Sequence, residues 1–217
     1  MLYEKTRTKI IEICHEMVSA GFFMGTWGNV SARIENFIIL TPSKVNYDIM
    51  QPEDLVIIDL QGNVIEGSRI PTSEKEVHRQ IYLCRNDVQA IVHSHTAKAM
   101  SVSALPIPAV PCMTEEMSQL LGGEIPITHH YIPAEQHINL GLAAAEAIQD
   151  KNAVILRNHG GVACGKSLDE AVLSTCVLEK SCGIFLDISG QSFREIPETY
   201  VLSEHDRYMY RYGHEET

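Results

Sequence analysis

Residues 88–95 have the sequence Val-Gln-Ala-Ile-Val-His-Ser-His, a short apolar run that ends on two histidines. The run over 88–92 predicts a buried strand, because its length and apolar content are typical of one. Side chains two positions apart point to the same face of a strand. His93 and His95 can therefore offer two imidazoles to one metal ion from a single extended segment.

A second apolar run leads to another histidine. Residues 153–156 predict a strand that continues to His159, and residues 161–164 predict a strand that returns beside it. Catalytic zinc typically has three protein ligands and one open position, so His159 is the third candidate ligand. Gly160 follows it, and glycine lets a backbone approach a site closely. Spacing alone leaves another interpretation open, since histidines also serve as hydrogen-bonded or surface residues.

The flanking segments alternate between helical and strand-like patterns. Apolar residues at helical spacing and a Ser-x-x-Glu capping pattern predict helices, and short runs bounded by turn residues predict strands and a hairpin. The fold class is therefore α/β, a single domain over 1–217 in which helices flank a central, mainly antiparallel sheet. The predicted helices cover 2–20, from Thr72 or Ser73 to about Cys84, and from Ser167 to about Asp187; the predicted strands cover 37–40, 55–60 and 64–65.

Composition narrows the class of protein. The chain has 217 residues, of which 45% are hydrophobic and 21% charged, as in an ordinary globular protein. A formal net charge of -11 disfavours nucleic acid as a partner, because phosphate contacts need an excess of Lys and Arg. The sequence has no apolar run of membrane-spanning length, and its first residues are polar. Six scattered cysteines without a Cys-x-x-Cys pair favour reduced thiols in a cytoplasmic protein.

Several short motifs occur in order along nearly the whole chain. Together they resemble the class II aldolase and adducin family, most closely its L-fuculose-1-phosphate aldolases. The resemblance implies a lyase that cleaves a phosphorylated ketose, an L-fuculose-1-phosphate-like 1-phosphate, into dihydroxyacetone phosphate and a short aldehyde. The motifs are Gly25-Thr26-Trp27-Gly28-Asn29-Val30-Ser31, Thr41-Pro42-Ser43, Pro71-Thr72-Ser73-Glu74, His93-Ser94-His95 and Asn158-His159-Gly160.

The same resemblance leaves three other functions open. An L-ribulose-5-phosphate 4-epimerase would use related chemistry but recapture the aldehyde on its other face. A methylthioribulose-1-phosphate dehydratase would keep metal and phosphate but eliminate water. An adducin-like interaction domain would keep the fold without catalysis, and such a domain has no need for the metal ligands that this chain retains.

The resemblance also assigns roles to individual residues. It implies one Zn²⁺ per subunit, held by His93, His95 and His159, with Glu74 as a ligand that leaves the metal and becomes the catalytic base. It implies a homotetramer with sites at the subunit borders. Lys44 departs from the family pattern, in which glycine is usual; it either adds a charged contact to the substrate phosphate or indicates a different substrate. The residues that match the family's phosphate pocket are Gly28, Asn29, Ser43, Thr72 and Ser73.

The proton donor is less well defined by the sequence. The tail Tyr210-Arg211-Tyr212-Gly213 resembles an aldolase tail whose tyrosine reaches the site of a neighbouring subunit, which makes Tyr212 the candidate acid. A second family tyrosine has no counterpart, because Cys112 stands where it would fall. Glu115 and Glu116 lie where dehydratase relatives place an acid, so either of them is an alternative donor.

Overall fold

The computed structural model describes residues 1–212. Residues 213–217 lie outside the described part, and with them Gly213 of the tail motif and the end of the domain predicted over 1–217. The helices are α1 (Glu4–Ser19), α2 (Lys75–Cys84), α3 (Ala97–Ser103), α4 (His137–Ile148), α5 (Leu168–Ile188) and α6 (Glu198–Tyr210). The strands are β1 (Asn29–Ile34), β2 (Phe37–Leu40), β3 (Val56–Asp59), β4 (Val64–Glu66), β5 (Ala90–Ser94), β6 (Ala109–Val110), β7 (Ile125–Pro126), β8 (Ala153–Leu156) and β9 (Gly160–Gly165).

One seven-stranded sheet forms the centre, in the order β4-β3-β2-β1-β5-β9-β8. Every pair of neighbouring strands in it is antiparallel. The short strands β6 and β7 form a separate antiparallel pair. The predicted fold class is confirmed: an α/β fold with helices around a mainly antiparallel sheet.

Both faces of the sheet are buried, and the alternation of side chains along each strand explains how. On β2, Ile39 points into a core formed with α1, whereas Ile38 and Leu40 point into a core formed with α2 and α4. A third core lies among α3, α5 and α6, where Val102, Leu178 and Val201 are buried together. Because both faces are covered at the centre of the sheet, strands such as β2 and β8 are continuous hydrophobic runs, which is what made them visible in the sequence.

The N-terminus of α2 differs from the prediction. The helix begins at Lys75 with Glu74 as its N-cap, not at Thr72 or Ser73. The Thr72 amide is held in extended pairing by the carbonyl oxygen of Thr41 at 3.1 Å, next to the bridge between Pro42 and Pro71. The Thr72 hydroxyl accepts a hydrogen bond from the Glu74 amide at 3.3 Å, so it supports the turn before the helix.

Six of the described helices and strands were missed by the sequence analysis: α3, α4, α6, β1, β6 and β7. Of these, α3, β6 and β7 are short, with seven, two and two residues. Strand β1 has polar residues at its start, and the apolar pattern of α4 and the polar sequence of α6 did not produce a clear helical signal. The other predicted helices and strands lie within two residues of their predicted bounds at nearly every end. Among the described residues, no helix combines the length and the apolar character needed to cross a membrane.

Candidate metal centre and substrate cavity

Four side chains that are distant in sequence meet at one point. The ligand atoms of Glu74, His93, His95 and His159 all lie within 4.8 Å of one another, and we call these four residues the His/Glu cluster. His93 Nε2 and His95 Nε2 are 2.9 Å apart, and His159 Nε2 lies 3.4 Å from Glu74 Oε1. The structure thus brings all four predicted metal-site residues together.

Two histidines reach the cluster from β5, as their spacing predicted. His93 is the second-last residue of the strand and is fully buried, and His95 follows one residue beyond the strand end. Their ring centroids lie 4.8 Å apart with an edge-to-face angle of 73°. A strand end therefore places both ring nitrogens on the same side of the sheet.

The third histidine is delivered by the turn between β8 and β9. Asn158 has a left-handed backbone with φ 53°, which turns the chain sharply before His159. A Cβ atom on Gly160 would lie 2.5 Å from the carbonyl oxygen of Ser94, so no larger residue fits between the two strands. Arg157 anchors the same turn, since its guanidinium donates to the backbone carbonyls of Leu105, Ile107 and Thr128.

The tautomer of His93 is set by a backbone group. His93 Nδ1 lies 2.9 Å from the carbonyl oxygen of Gly161, and a carbonyl oxygen can only accept. His93 Nδ1 therefore carries the proton, and the lone pair of Nε2 faces the cluster, as in many metal-ligating histidines. Burial lowers the pKa of His93 and of His95, which keeps both rings neutral and able to bind a cation.

Glu74 is held as a carboxylate. Burial alone raises the pKa of Glu74, but the adjacent His93 and His159 and the Asn29 amide together bring it below its usual value. Asn29 Nδ2 donates to Glu74 Oε2 at 2.5 Å, and Glu74 Oε2 lies 3.8 Å from His93 Nε2. The carboxylate is thus oriented by one neutral donor while both of its oxygens face imidazole nitrogens.

This donor set fits a divalent metal ion. Three imidazoles and a carboxylate are hard and borderline ligands of the kind that Zn²⁺ and several neighbouring divalent ions accept. The cluster has a single carboxylate among three imidazoles, which bind metal ions through neutral ring nitrogens, so it is attractive to a cation without the mutual repulsion of an acidic cluster. The burial of His93 and the 4.8 Å limit on the ligand separations match a preformed site.

A cavity of about 190 Å³ opens beside the cluster, and we call it the donor cavity. Its two walls are joined by backbone pairing, in which the Ser43 amide donates to the Ile70 carbonyl at 2.9 Å beside the bridge between Pro42 and Pro71. All six residues predicted to bind substrate line this cavity, together with Glu74 and His95. The six are Gly28, Asn29, Ser43, Lys44, Thr72 and Ser73.

Two cavity residues have left-handed backbones. Gly28 has φ 98°, and a side chain there would collide with the ring of Phe23. Lys44 has φ 60°, a conformation that non-glycine residues adopt infrequently, and its side chain is exposed. The left-handed backbone explains why glycine is suited to position 44 and makes the lysine of this chain a feature that packing does not account for.

Trp27 is a cavity residue whose contribution the sequence analysis did not assign. Its ring stacks on His95 with centroids 6.3 Å apart and an interplanar angle of 22°, yet 62% of the residue is exposed. Trp27 therefore places an exposed indole beside both a candidate metal ligand and the donor cavity. The signal in the sequence was a tryptophan in a glycine-rich turn, where core packing does not need one.

The candidate proton donors lie away from the His/Glu cluster of the same chain. Tyr212 is 63% exposed and stacks on Tyr208 with centroids 5.7 Å apart. Glu116 forms an ion pair with Lys180 at 2.5 Å, and Glu115 lies 3.8 Å from Arg207. None of the candidate donors, Tyr212, Glu115 or Glu116, lines the donor cavity as the described residues form it.

Cys112 also lies outside the donor cavity. It is buried, and its carbonyl oxygen accepts a hydrogen bond from the Ile196 amide at 2.9 Å. Burial raises the pKa of the Cys112 thiol to about 11, so it is a neutral thiol near pH 7. It lines a second cavity of about 380 Å³ near the start of α6. All six cysteines are free thiols, four of them buried.

Comparisons with known proteins identify the family of the chain. Residues 8–186 match the model of the family described as Class II Aldolase and Adducin N-terminal domain. An L-fuculose phosphate aldolase from Methanococcus maripaludis is 35% identical over 173 residues, which cover 80% of this chain and 92% of the relative. A 5-deoxy-D-ribulose 1-phosphate aldolase from Bacillus thuringiensis serovar kurstaki is 34% identical over 175 residues, 79% of each chain. A solved structure of an L-fuculose 1-phosphate aldolase superposes with a TM-score of 0.89 at 25% identity, covering 97% of this chain and 99% of that one.

Proposed function

This chain belongs to the class II aldolase and adducin family and is a lyase of the class II aldolase type, and from that premise we propose that it cleaves a ketose 1-phosphate with the aid of Zn²⁺. The products would be dihydroxyacetone phosphate and a short aldehyde. L-fuculose 1-phosphate and 5-deoxy-D-ribulose 1-phosphate are the first substrates to consider, because two similar relatives carry them in their names.

One observation carries the proposal: the His/Glu cluster lies at the wall of a cavity lined by hydrogen-bond donors. Glu74 and His95 belong both to the cluster and to the lining of the cavity. A phosphorylated ketose has a phosphate at one end and a carbonyl next to it, so it can occupy the cavity with its carbonyl toward the cluster. A binding site without catalysis would not need a carboxylate held at that junction.

Phosphate binding is proposed for the donor cavity. The hydroxyls of Ser43, Thr72 and Ser73, with nearby backbone amides, can hold a dianion without a large basic patch, which suits a protein of net charge -11. The Lys44 ammonium adds a charge-assisted contact, which is stronger than a neutral hydrogen bond. Its long side chain can reach the phosphate from the rim.

Glu74 is proposed as the group that moves the proton. A bound divalent ion acts as a Lewis acid that stabilises the negative charge developing on the substrate oxygens during bond cleavage. In the cleavage direction Glu74 would first take up a proton from solvent. The bond between C3 and C4 would then break with the electron pair staying on C3, Glu74 would deliver its proton to that carbon, and the C4 hydroxyl would lose its proton to a second group as the aldehyde forms. The reverse direction requires Glu74 to take the proton as a general base, for which an ionised carboxylate beside the carbon is suited.

A second group must accept the proton from the C4 hydroxyl during cleavage and donate one to the aldehyde oxygen in the reverse direction. We propose Tyr212 for this role, provided by a neighbouring subunit of a homotetramer, because Tyr212 is exposed and lies away from the cluster of its own chain. Glu115 and Glu116 are the alternative donors. Both also face outward, so the same requirement for a second subunit applies to them.

Product analysis tests the proposal directly. The protein, loaded with Zn²⁺, would be incubated with a panel of phosphorylated ketoses, and the release of dihydroxyacetone phosphate would be measured in a coupled assay. An isomeric ketose without free dihydroxyacetone phosphate would favour the epimerase, and a dehydrated diketone phosphate would favour the dehydratase. Protein that neither retains a divalent metal nor acts on any member of the panel would favour the adducin-like interaction domain.

The proposal extends to the cellular setting. Six free thiols are compatible with a reducing compartment, which supports a cytoplasmic location. Zn²⁺ is proposed over other divalent ions because three neutral imidazoles with one carboxylate resemble the ligand sets of catalytic zinc. Metal analysis of protein purified without added metal would test this choice.

A further inference from the structure

A row of buried polar side chains runs from the interior of the protein to Glu74. Tyr82 Oη lies 2.8 Å from Ser31 Oγ, which in turn lies 2.7 Å from His78 Nδ1. His78 Nε2 lies 2.5 Å from Asn29 Oδ1, and Asn29 Nδ2 lies 2.5 Å from Glu74 Oε2. We call Tyr82, Ser31, His78 and Asn29 the polar row. Each is at most 3% exposed.

Two regular spacings produce the row. Glu74 is the N-cap of α2, and His78 and Tyr82 follow it at intervals of four residues within the helix, so the three lie along one side of it. Asn29 and Ser31 are two residues apart on β1, so they share the face of the sheet that meets α2. The row therefore alternates between helix and strand, and the sequence contained this pattern although neither the strand nor the role of His78 was predicted.

Every hydrogen bond of the row is donated in the same direction, from Tyr82 towards Glu74. The Glu74 carboxylate can only accept, so Asn29 must present its Nδ2 to it and its Oδ1 to His78. His78 Nε2 must then carry a proton. A neutral imidazole has one donor and one acceptor, so His78 Nδ1 accepts from the Ser31 hydroxyl, and Ser31 Oγ accepts from Tyr82.

Burial supports the neutral state of His78. The residue is fully buried, and desolvation lowers the pKa of His78 to about 4. The titratable groups near it are Glu74, whose charge opposes that shift, the buried His93, and the Tyr82 hydroxyl, whose pKa is raised by burial. A hydrogen bond within such a row is strengthened by its neighbours, because each donor polarises the next.

We infer that the polar row is a positioning device for Glu74: His78, held by Ser31 and Tyr82, fixes the Asn29 amide, and that amide fixes one oxygen of the carboxylate at the His/Glu cluster. His78 acts through Asn29 and is a positioning residue. The inference rests on the proposed function in taking Glu74 as the group that moves the proton. The inference also limits the substrate-binding role expected of Asn29. Its Oδ1 and one N–H of its Nδ2 already contact His78 and Glu74, so only one N–H remains for substrate.

The direction of the row can be measured without any activity. In protein labelled with ¹⁵N at histidine, two-dimensional spectra distinguish protonated from unprotonated ring nitrogens, and a His78→Gln variant identifies the signal of His78. We expect Nε2 protonated and Nδ1 unprotonated, without change between pH 6 and 8. Protonation of Nδ1 alone, or of both nitrogens, would reverse the row and overturn the inference.

Two substitutions of His78 separate positioning from simple support. The amide of Gln extends to about the place of Nε2 and can still donate to Asn29, whereas the shorter Asn reaches only the place of Nδ1. Loss of a partner that orients a metal ligand typically costs about 10- to 100-fold in metal affinity or activity. For His78→Asn we expect Co²⁺ affinity and kcat to fall by at least about 10-fold, with KM within about 2-fold; His78→Gln should retain most of both.

Stability controls complete the experiment. Tyr82→Phe removes the first hydroxyl of the row and keeps the ring, and Ser103→Ala removes a buried hydroxyl elsewhere, which donates to the Met100 carbonyl at 2.6 Å. Tyr82→Phe should weaken Co²⁺ binding measurably, and Ser103→Ala should not. If both His78 variants lose stability equally while Co²⁺ affinity and kcat stay as in the wild type, the row is only structural and the inference is wrong.

Failure of the proposed function would look different. A wild-type protein that cleaves no ketose phosphate would contradict the aldolase proposal. The ¹⁵N spectra and the Co²⁺ titrations would still decide whether the polar row has the inferred direction and controls the metal site. If the wild type and His78→Asn cleaved the substrate at equal rates, the aldolase proposal would stand, but the polar row would have no role in catalysis.

Discussion

The His/Glu cluster and the carboxy-terminal tyrosines differ in how the fold holds them. His93 is fully buried on a central strand, and Glu74 is fixed by Asn29. Tyr212 is 63% exposed at the end of α6, where it lies against Tyr208 and under the guanidinium of Arg207. The candidate metal ligands are thus preorganised within one chain, whereas the proposed proton donor lies outside the donor cavity of its own chain. The difference teaches that the His/Glu cluster, here the metal half of the site, can be tested on a single subunit. The proposed donor half, Tyr212, can be tested only in an assembly of subunits.

Replacing the carboxylate of Glu74 should have the largest effect, because it removes the proposed proton carrier from the His/Glu cluster. We expect Glu74→Gln to lower kcat by about 10²- to 10⁴-fold, the usual contribution of general acid–base catalysis. Steady-state cleavage rates would check this. Glu76→Gln is a matched control, since Glu76 is a buried neighbour that binds Arg79 at 2.7 Å and lies outside the donor cavity. Wild-type rates for Glu74→Gln would exclude it as the proton carrier.

A glycine substitution tests whether the metal half depends on close packing of strands. Gly160→Ala places a methyl group 2.5 Å from the Ser94 carbonyl, so β9 must move away from β5 and carry His159 with it. Overpacking of this kind typically costs about 1–3 kcal/mol, and we expect zinc content to fall as well. Thermal unfolding and metal analysis would measure the two effects.

Gly183→Ala provides the contrast for that substitution. Gly183 lies within α5, and the nearest atom to its added methyl is 3.6 Å away on the flexible side chain of Lys98. A helix interior favours Ala over Gly by roughly 0.5–1 kcal/mol, so this variant should be slightly more stable and keep its metal. Equal behaviour of the two variants would mean that the approach at Gly160 does not determine the metal site.

The tail can be tested by removing a single hydroxyl. Tyr212→Phe should lower kcat by about 10²-fold, the lower end for general acid catalysis, without changing zinc content or the unfolding temperature. Tyr200→Phe is the control, because Tyr200 is 63% exposed on the same helix. An unchanged kcat in Tyr212→Phe would direct the same experiment to Glu115 and Glu116.

Lys44 should give the smallest effect, because it is an exposed residue of the donor cavity and does not belong to the His/Glu cluster. Its left-handed backbone suits glycine, so Lys44→Gly should leave stability within about 1 kcal/mol of the wild type. Loss of the ammonium should raise KM for a ketose phosphate about 10-fold, as expected for one charge-assisted hydrogen bond. Glu35→Gly repeats the backbone change at φ 54° in the turn between β1 and β2, and should leave KM unchanged.

How much the sequence predicted follows from how local each signal is. His93 and His95 lie two apart after an apolar run, and this local pattern gave both the strand and the shared face. His159 was proposed from a second strand end, but only the pairing of β5 with β9 brings the two together. The start of α2 was predicted two or three residues early, because the pairing of Thr72 with Thr41 is a long-range contact that local helix signals do not contain.

Buried polar residues that hydrogen-bond to one another were the hardest to predict. Asn29, Ser31 and His78 have no apolar periodicity of their own, and each is compatible with the surface until β1 is placed against α2. Tyr212 is a different case, since its partner is not in the same chain under the proposed function. Sequence motifs identified the residue without indicating its surroundings.

The order of strands in the sheet has a kinetic consequence. The cluster takes ligands from β5, from the turn after β8 and from the start of α2, so no ligand set exists until the antiparallel pairing of β5 with β9 has formed. Such non-local pairing is formed slowly, because the chain must close a long loop first. A metal ion would then be captured only by a nearly complete molecule, and added metal would slow the unfolding of this protein while leaving its refolding rate unchanged.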